Sequence, residues 1–181
     1  MDEKELAQKF VSYVSDMYDL YFEVGTTDIV GKSGSVVVSI EVKKHLNFKV
    51  IEQAHFNIRS SHYSYVAVPL SSALRNKFAF TICQQFGIGV LAYDEFHGRI
   101  AEKVKPRLNR NAHVKYAKKL TPDSMWKRTT PGAKSGETIT AFSVTVEELE
   151  KYVRRHPGSE IRKALEGIVH HYGSISSARS C

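Results

Sequence analysis

The stretch Asp28–Lys43, DIVGKSGSVVVSIEVK, decides how this chain is read. Ser35 to Val42 is dense in β-branched residues and has the composition of a buried strand. Asp28 to Val30 is a short apolar stretch before it, and Gly31, Ser33 and Gly34 mark a turn between the two. Side chains alternate along a strand, so Glu41 and Lys43 share one face, while Val38, Ile40 and Val42 are apolar. Asp28, Glu41 and Lys43 are thus set beside a sheet whose core is Val and Ile. Such charges are costly there unless they pair with one another or bind a cation.

Elements follow on both sides. Upstream, Leu6, Phe10, Val14 and Met17 recur every three or four residues and predict a helix from Glu3 to about Met17. A short strand, Leu20 to Val24, comes next. Downstream, Asn47 can cap a helix from Phe48 to Arg59 with Val50, Ile51, Ala54 and Ile58 inward. Tyr63 to Val68 is a strand stopped by Pro69. Ser71 or Ser72 then caps a helix whose stripe Leu74, Phe78, Ile82 and Phe86 is expected to face the core, ended by Gly87. Ile88 to Tyr93 is the last strand expected. The order αβββαβαβ starts with hairpins and continues with crossovers, which predicts an α/β domain with a mixed sheet flanked by helices.

The chain has 181 residues, 42% of them hydrophobic and 25% charged, enough for one packed domain with about 40–60 residues left for a smaller module. No apolar run approaches the roughly 18–20 residues that span a bilayer, so no membrane partner is expected. The start, MDEKELAQKF, is acidic and amphipathic, unlike a secretory signal. The two cysteines, Cys83 and Cys181, build neither a disulfide framework nor a zinc site, and a reduced, cytoplasmic compartment is the default expectation.

The net charge of +7 is unevenly placed. His97 to Arg128 holds ten Lys and Arg against only Glu102 and Asp123, so the rest of the chain is close to neutral. In this strip Lys103, Lys105, Arg107, Arg110, Lys115, Lys118, Lys119, Lys127 and Arg128 are the candidate nucleic-acid contacts, with Arg99 at its start. A localised cationic strip attracts a polyanion because each neutralised phosphate releases counterions. Tyr116 and Trp126 lie within it and can stack on bases. The plainer reading is a solubilising surface or basic linker.

Residues 1–120 are read as the main domain with its basic tail, and 121–140, rich in Pro, Gly and hydroxyl residues, as a linker. Residues 141–181 are read as a helical module. In it Thr145 and Glu148 have capping-box spacing for a helix to Arg155, His156-Pro157-Gly158 breaks the pattern, Ser159 to Ile168 forms a second helix, and a third start follows at Ser174.

The placement of Asp28, Glu41 and Lys43 suits phosphodiester hydrolysis. Two carboxylates hold hard divalent ions, which prefer oxygen ligands; such an ion lowers the pKa of water and offsets charge on the reacting phosphate. A lysine beside them orients water or stabilises developing negative charge. The Val42 carbonyl offers one more oxygen.

In these residues the chain resembles the PD-(D/E)xK, or restriction-endonuclease-like, nucleases: Asp28, then Glu41-Val42-Lys43, then Gln53 in VIEQAH on the next helix. The resemblance covers about Glu3 to Tyr93. It implies Asp28 and Glu41 as ligands of Mg2+ or Mn2+, Lys43 as the catalytic lysine, and Gln53 facing the site. Glu23 resembles an extra acidic residue that some members carry near the metal. Thr27 stands where the family motif has proline. The 146–167 stretch resembles the first two helices of a winged helix-turn-helix, although Cys181 comes before a third helix or wing is complete. The resemblance implies a DNA-cleaving enzyme, and a homodimer is one expectation, since many members pair.

Competing assignments are plain ones. Glu41 and Lys43 can form a surface pair beside a turn-capping Asp28, and Gln53 can be a solvated helix residue. His45 is best read as a loop residue, Cys83 as a small buried apolar group. His55, His62 and the pair His170-His171 lack metal-ligand spacing with a cysteine. Gly87-Ile88-Gly89 lacks the flanks of a dinucleotide-binding loop. The alternative function is a non-catalytic DNA-binding or regulatory protein on a nuclease-like scaffold, or an adaptor that recruits a nucleic-acid enzyme.

Overall fold

The computed structural model describes residues 1–114, 120, 121, 124–129, 141–168, 170, 172 and 174–179. The chain divides into two units, Met1–Thr138 and Ile139–Cys181.

The first unit is built on a six-stranded mixed sheet in sequence order: β1 (Asp19–Val24), β2 (Thr27–Ser33), β3 (Val36–Val42), β4 (Tyr63–Pro69), β5 (Gly89–Asp94) and β6 (Arg99–Val104). The first three strands form an antiparallel meander; β3, β4 and β5 are parallel, and β6 returns antiparallel. Helices fill the parallel crossovers: α2 (Phe48–Asn57) joins β3 to β4, while α3 (Leu70–Arg75) and α4 (Lys77–Phe86) join β4 to β5. α1 (Glu3–Val14) packs Leu6, Phe10 and Val14 against Ile29, Val38, Ile40 and Val42 on one face of the sheet. α2 and α4 cover Val66, Val68, Val90 and Ala92 on the opposite face with Val50, Ile51, Ala54, Ala79 and Cys83.

Four features differ from the expected order. β2 runs on through Gly31 to Ser33, which leaves Gly34, at φ +57, as the glycine of the turn. The strand β6 lies inside the basic strip; its charged and half-exposed side chains hide its period, because it is an edge strand with a solvated face. The single helix expected after β4 is two, broken at Asn76, whose side chain accepts from the Ala79 N–H and caps α4. Ser72 is no cap; its hydroxyl accepts from the Leu46 N–H (2.8 Å). The stripe Leu74, Phe78 and Phe86 is exposed, and the small residues Ala73, Ala79 and Cys83 face the sheet instead.

The expected linker 121–140 is described only up to 129. There α5 (Met125–Arg128) packs on β1, and Leu120 and Trp126 cover Tyr21, Val24, Val30 and Val37. The Tyr21 hydroxyl donates to the Leu120 carbonyl (3.1 Å), as does Lys32 Nζ (3.3 Å). Residues 120, 121 and 124–129 are therefore part of the folded first unit, and 122, 123 and 130–140 lie outside the described residues.

The second unit contains α6 (Ala141–Arg155), α7 (Ile161–Glu166) and α8 (Ile175–Arg179). Since α6 begins at Ala141, Thr145 sits within the helix and Thr145–Glu148 is not a capping box. α7 contacts both α6 and α8, and Ala164 and Leu165 are buried.

Candidate active site

The register that pairs Ile29 with Ile40 sets Asp28 opposite Glu41 on neighbouring strands. Both point to the face opposite α1. Asp28 Oδ2 accepts from the Val42 N–H (2.8 Å) and from Lys43 Nζ (3.1 Å). Lys43 follows the last residue of β3 and is still tied to β4 through its backbone N–H, which donates to the Ala67 carbonyl (3.0 Å). Its ammonium also donates to Glu3 Oε1 (2.6 Å). Strand alternation thus brings Asp28, Glu41 and Lys43 together as the sequence leads one to expect. Glu3 was not legible in sequence: it arrives from α1, whose start is fixed by the capping box of Asp2 and Glu5.

Glu41 is fully buried. Asn57 Nδ2 donates to its Oε1 (2.6 Å), and no donor reaches its Oε2 among the described residues. Burial first, then the negative Asp28 beside it, push Glu41 up to about 8, against the opposing pull of the Asn57 amide and Lys43. Burial likewise raises Asp28, against the opposing pull of Lys43 and the Val42 N–H. For Lys43 burial favours the neutral amine, but Asp28 and Glu3 outweigh it and its pKa lies above the ordinary lysine value. Lys43 is therefore a cation at neutral pH, and Glu41 keeps a proton unless another positive charge replaces it.

Asn57 is the second residue that sequence reading missed. It lies three positions after Ala54, on the inward side of α2, and a buried amide there needs a partner. That polar interruption of an apolar stripe was the available signal. Its carbonyl accepts from the Ser61 hydroxyl (2.8 Å), which in turn bonds Ser39 Oγ (2.8 Å), so Glu41 is anchored to a buried polar chain across β3. Gln53, one helical turn before Asn57, has a buried Oε1 with no donor among the described residues. Glu23 is half-buried at φ +54, and the β1–β2 register places it across from Asp28.

Among the described residues no group of three or more His, Cys, Asp and Glu forms a ready-made metal cage. Asp28 and Glu41 are two carboxylates, and the buried oxygens without donors, Glu41 Oε2 and Gln53 Oε1, are acceptors of the kind a hard cation satisfies. Asp28 and Glu41 are the residues that could hold such a cation.

The basic strip is placed elsewhere. The Arg107 N–H donates to the Gly87 carbonyl, Asn109 to His62 and His113 to Arg59, so residues 107–113 pass the ends where β4 and β5 begin. Glu41 pairs with Val66, four residues from His62, roughly 13 Å along the strands. Residues 107–113 are thus not adjacent to the carboxylates. Lys103, Lys105, Arg107 and Arg110 are exposed. Lys127 is engaged with Asp19 (3.4 Å) and lies over the Tyr21 ring (5.0 Å). Lys115, Lys118, Lys119 and Tyr116, and the side chain of Arg128, lie outside the described residues.

The fold and site define an α/β protein with a six-stranded mixed sheet flanked by helices and a paired-carboxylate–lysine cluster beside β3. No protein family, curated protein or solved structure matches the chain. Among the described residues no helix is long and apolar enough to cross a membrane.

Proposed function

We propose that the protein is a divalent-metal-dependent endodeoxyribonuclease of the PD-(D/E)xK type. The observation that carries this reading is the cluster itself: Asp28 opposite Glu41, Lys43 Nζ 3.1 Å from Asp28, and a fully buried Glu41 oxygen with no donor. Asp28, Glu41 and the Val42 carbonyl would hold Mg2+ or Mn2+, which supplies a more acidic water and charge compensation at the phosphate. Lys43, protonated and steered by Asp28 and Glu3, offers its ammonium to a phosphate oxygen where negative charge grows. Asn57 holds the orientation of Glu41, and Gln53 presents an acceptor oxygen from the same face of α2. The exposed cations Lys105, Arg107 and Arg110 hold backbone phosphates. The helices of the second unit are read as a helix-turn-helix element; no wing strand is present among the described residues.

The test is nicking or cutting of DNA in Mg2+ by the wild type, Asp28→Ala and Lys43→Ala. Each substitution should lower the rate by on the order of a hundredfold or more. Equal activity in all three removes the assignment.

A second reading, a DNA-binding protein without catalysis on the same scaffold, is favoured by the distance between the strip and the carboxylates. Its mark is a salt-sensitive, metal-independent gel shift with no cleavage.

A further inference from the structure

Where α1 ends, the face of the sheet that it covers keeps a hollow of about 180 Å³. Its floor is apolar, with Val38 of β3 and Leu91 of β5 both buried there. Its walls are aromatic: Tyr13 comes from the last turn of α1, Tyr18 from the residues just after it, and Tyr65 from β4. Glu102 of β6 is the one charged side chain that lines it among the described residues. The Tyr65 hydroxyl donates to Glu102 Oε1 (2.9 Å), and among the described residues this carboxylate has no cation as a partner. Burial first, then Glu102, hold the Tyr65 phenol above its ordinary pKa, so the ring stays neutral and its hydroxyl fixes the carboxylate in place.

The charge here is opposite to that of the chain as a whole, which is +7. Strand alternation sends Glu102 to the α1 side of the sheet, while Lys103 and Lys105 line a separate hollow with Gln84 and Gly87 at the end of α4. The last turn of α1 carries no basic residue, so no side chain of that turn offsets the negative end of the helix dipole beside Tyr13.

We propose that this hollow binds a methylated ammonium group. The reading is independent of the nuclease site, which lies at the other end of α1: Glu3, which holds Lys43, is roughly 15 Å along the helix axis from Tyr13. Tyrosine faces attract a cation through the ring quadrupole. A metal ion or a bare ammonium keeps its water and gains nothing from Val38 and Leu91 beneath it. Methyl groups weaken that hydration and cover the apolar floor, while the positive charge meets the rings and Glu102. A phosphate or a nucleic acid meets a carboxylate there and no basic side chain. The same group is carried by a free choline-like molecule and by a methylated lysine of a partner protein.

The experiment is calorimetric titration of the full chain with choline, with dimethylbutanol (its uncharged isostere, carbon in place of nitrogen), with a short peptide carrying a trimethyllysine, and with the same peptide carrying plain lysine. Choline or the trimethyllysine peptide is expected to bind at least about tenfold more tightly than its uncharged or unmethylated counterpart. The tighter of the two cations identifies the source, a free molecule or a partner's side chain. Glu102→Gln removes the charge but keeps an acceptor for Tyr65, and Tyr13→Leu removes the ring but keeps apolar bulk. Both positions are exposed, so circular dichroism should not change. Each substitution should weaken the methylated cation by about three- to tenfold and leave dimethylbutanol unaffected. No saturation by either cation up to about 10 mM, no preference over the uncharged and unmethylated counterparts, or variants that both bind like the wild type would each overturn the proposal.

Discussion

Glu41 carries two measurable consequences. Its pKa near 8 means that a cation entering beside it at neutral pH must displace a proton. Mg2+ affinity should therefore rise with pH, by up to about tenfold per unit, and level off above about 8. Calorimetry in two buffers of different ionisation enthalpy should register the released proton, and Glu41→Gln should lose both the release and the pH slope. The second consequence is stability. A carboxyl whose folded pKa is raised from 4.5 to about 8 contributes fully below the lower value, and that contribution is lost as pH climbs toward 8. Glu41→Gln keeps an oxygen for the Asn57 donor and carries no charge. It should raise the melting temperature of the metal-free protein at pH 8–9, by on the order of a few kcal/mol in stability, with little change near pH 5. A gain that is equal at both pH values would mean that ionisation is not its cause.

At the level of elements, what the sequence made legible follows from local period. The buried strand 36–42 and the shared face of Glu41 and Lys43 needed only β-branching and alternation. Glu3 was out of reach because it comes to the cluster from a separate helix, and strand alternation says nothing about which helical positions approach it; Asn57 showed only as a polar break in the α2 stripe, with no sign of its partner. The α4 stripe misled for a different reason. Amphipathicity marks an apolar face without saying whether the protein's own sheet covers it, and here Ala79 and Cys83 let the backbone approach closely instead. Residues 121 and 124–129 misled through the Pro and hydroxyl content of the expected linker, although Leu120 just before them and Trp126 among them tie the segment down. Leu120 is buried against Tyr21, Val30 and Val37, so Leu120→Ala should cost about 2–4 kcal/mol in urea unfolding. A true linker residue would cost almost nothing. β5 also depends on a missing side chain: a Cβ at Gly89 would lie 2.3 Å from the Tyr65 ring. Gly89→Ala should destabilise by about 1–3 kcal/mol in the same assay.

Across the whole first unit, charge and chemistry are separated. The exposed cations of 105–110 border the ends where β4 and β5 begin, whereas Glu41 and Lys43 lie toward the end where β3 finishes. Arg107→Ala and Lys105→Ala should therefore weaken DNA binding and shallow its salt dependence, by about one unit of slope per residue, without altering Mg2+ affinity. Lys127→Ala should act mainly on stability, because its ammonium is already committed to Asp19 and the Tyr21 ring. A titration over ionic strength separates the two outcomes. The start of the chain holds the opposite kind of link. Asp2 closes the first turn of α1, and the next residue, Glu3, grips the ammonium of Lys43. Trimming or fusing anything at those first positions would fray that turn and loosen a reactive amine forty residues away, so the way the leading end is engineered for purification becomes a variable in any assay of the protein.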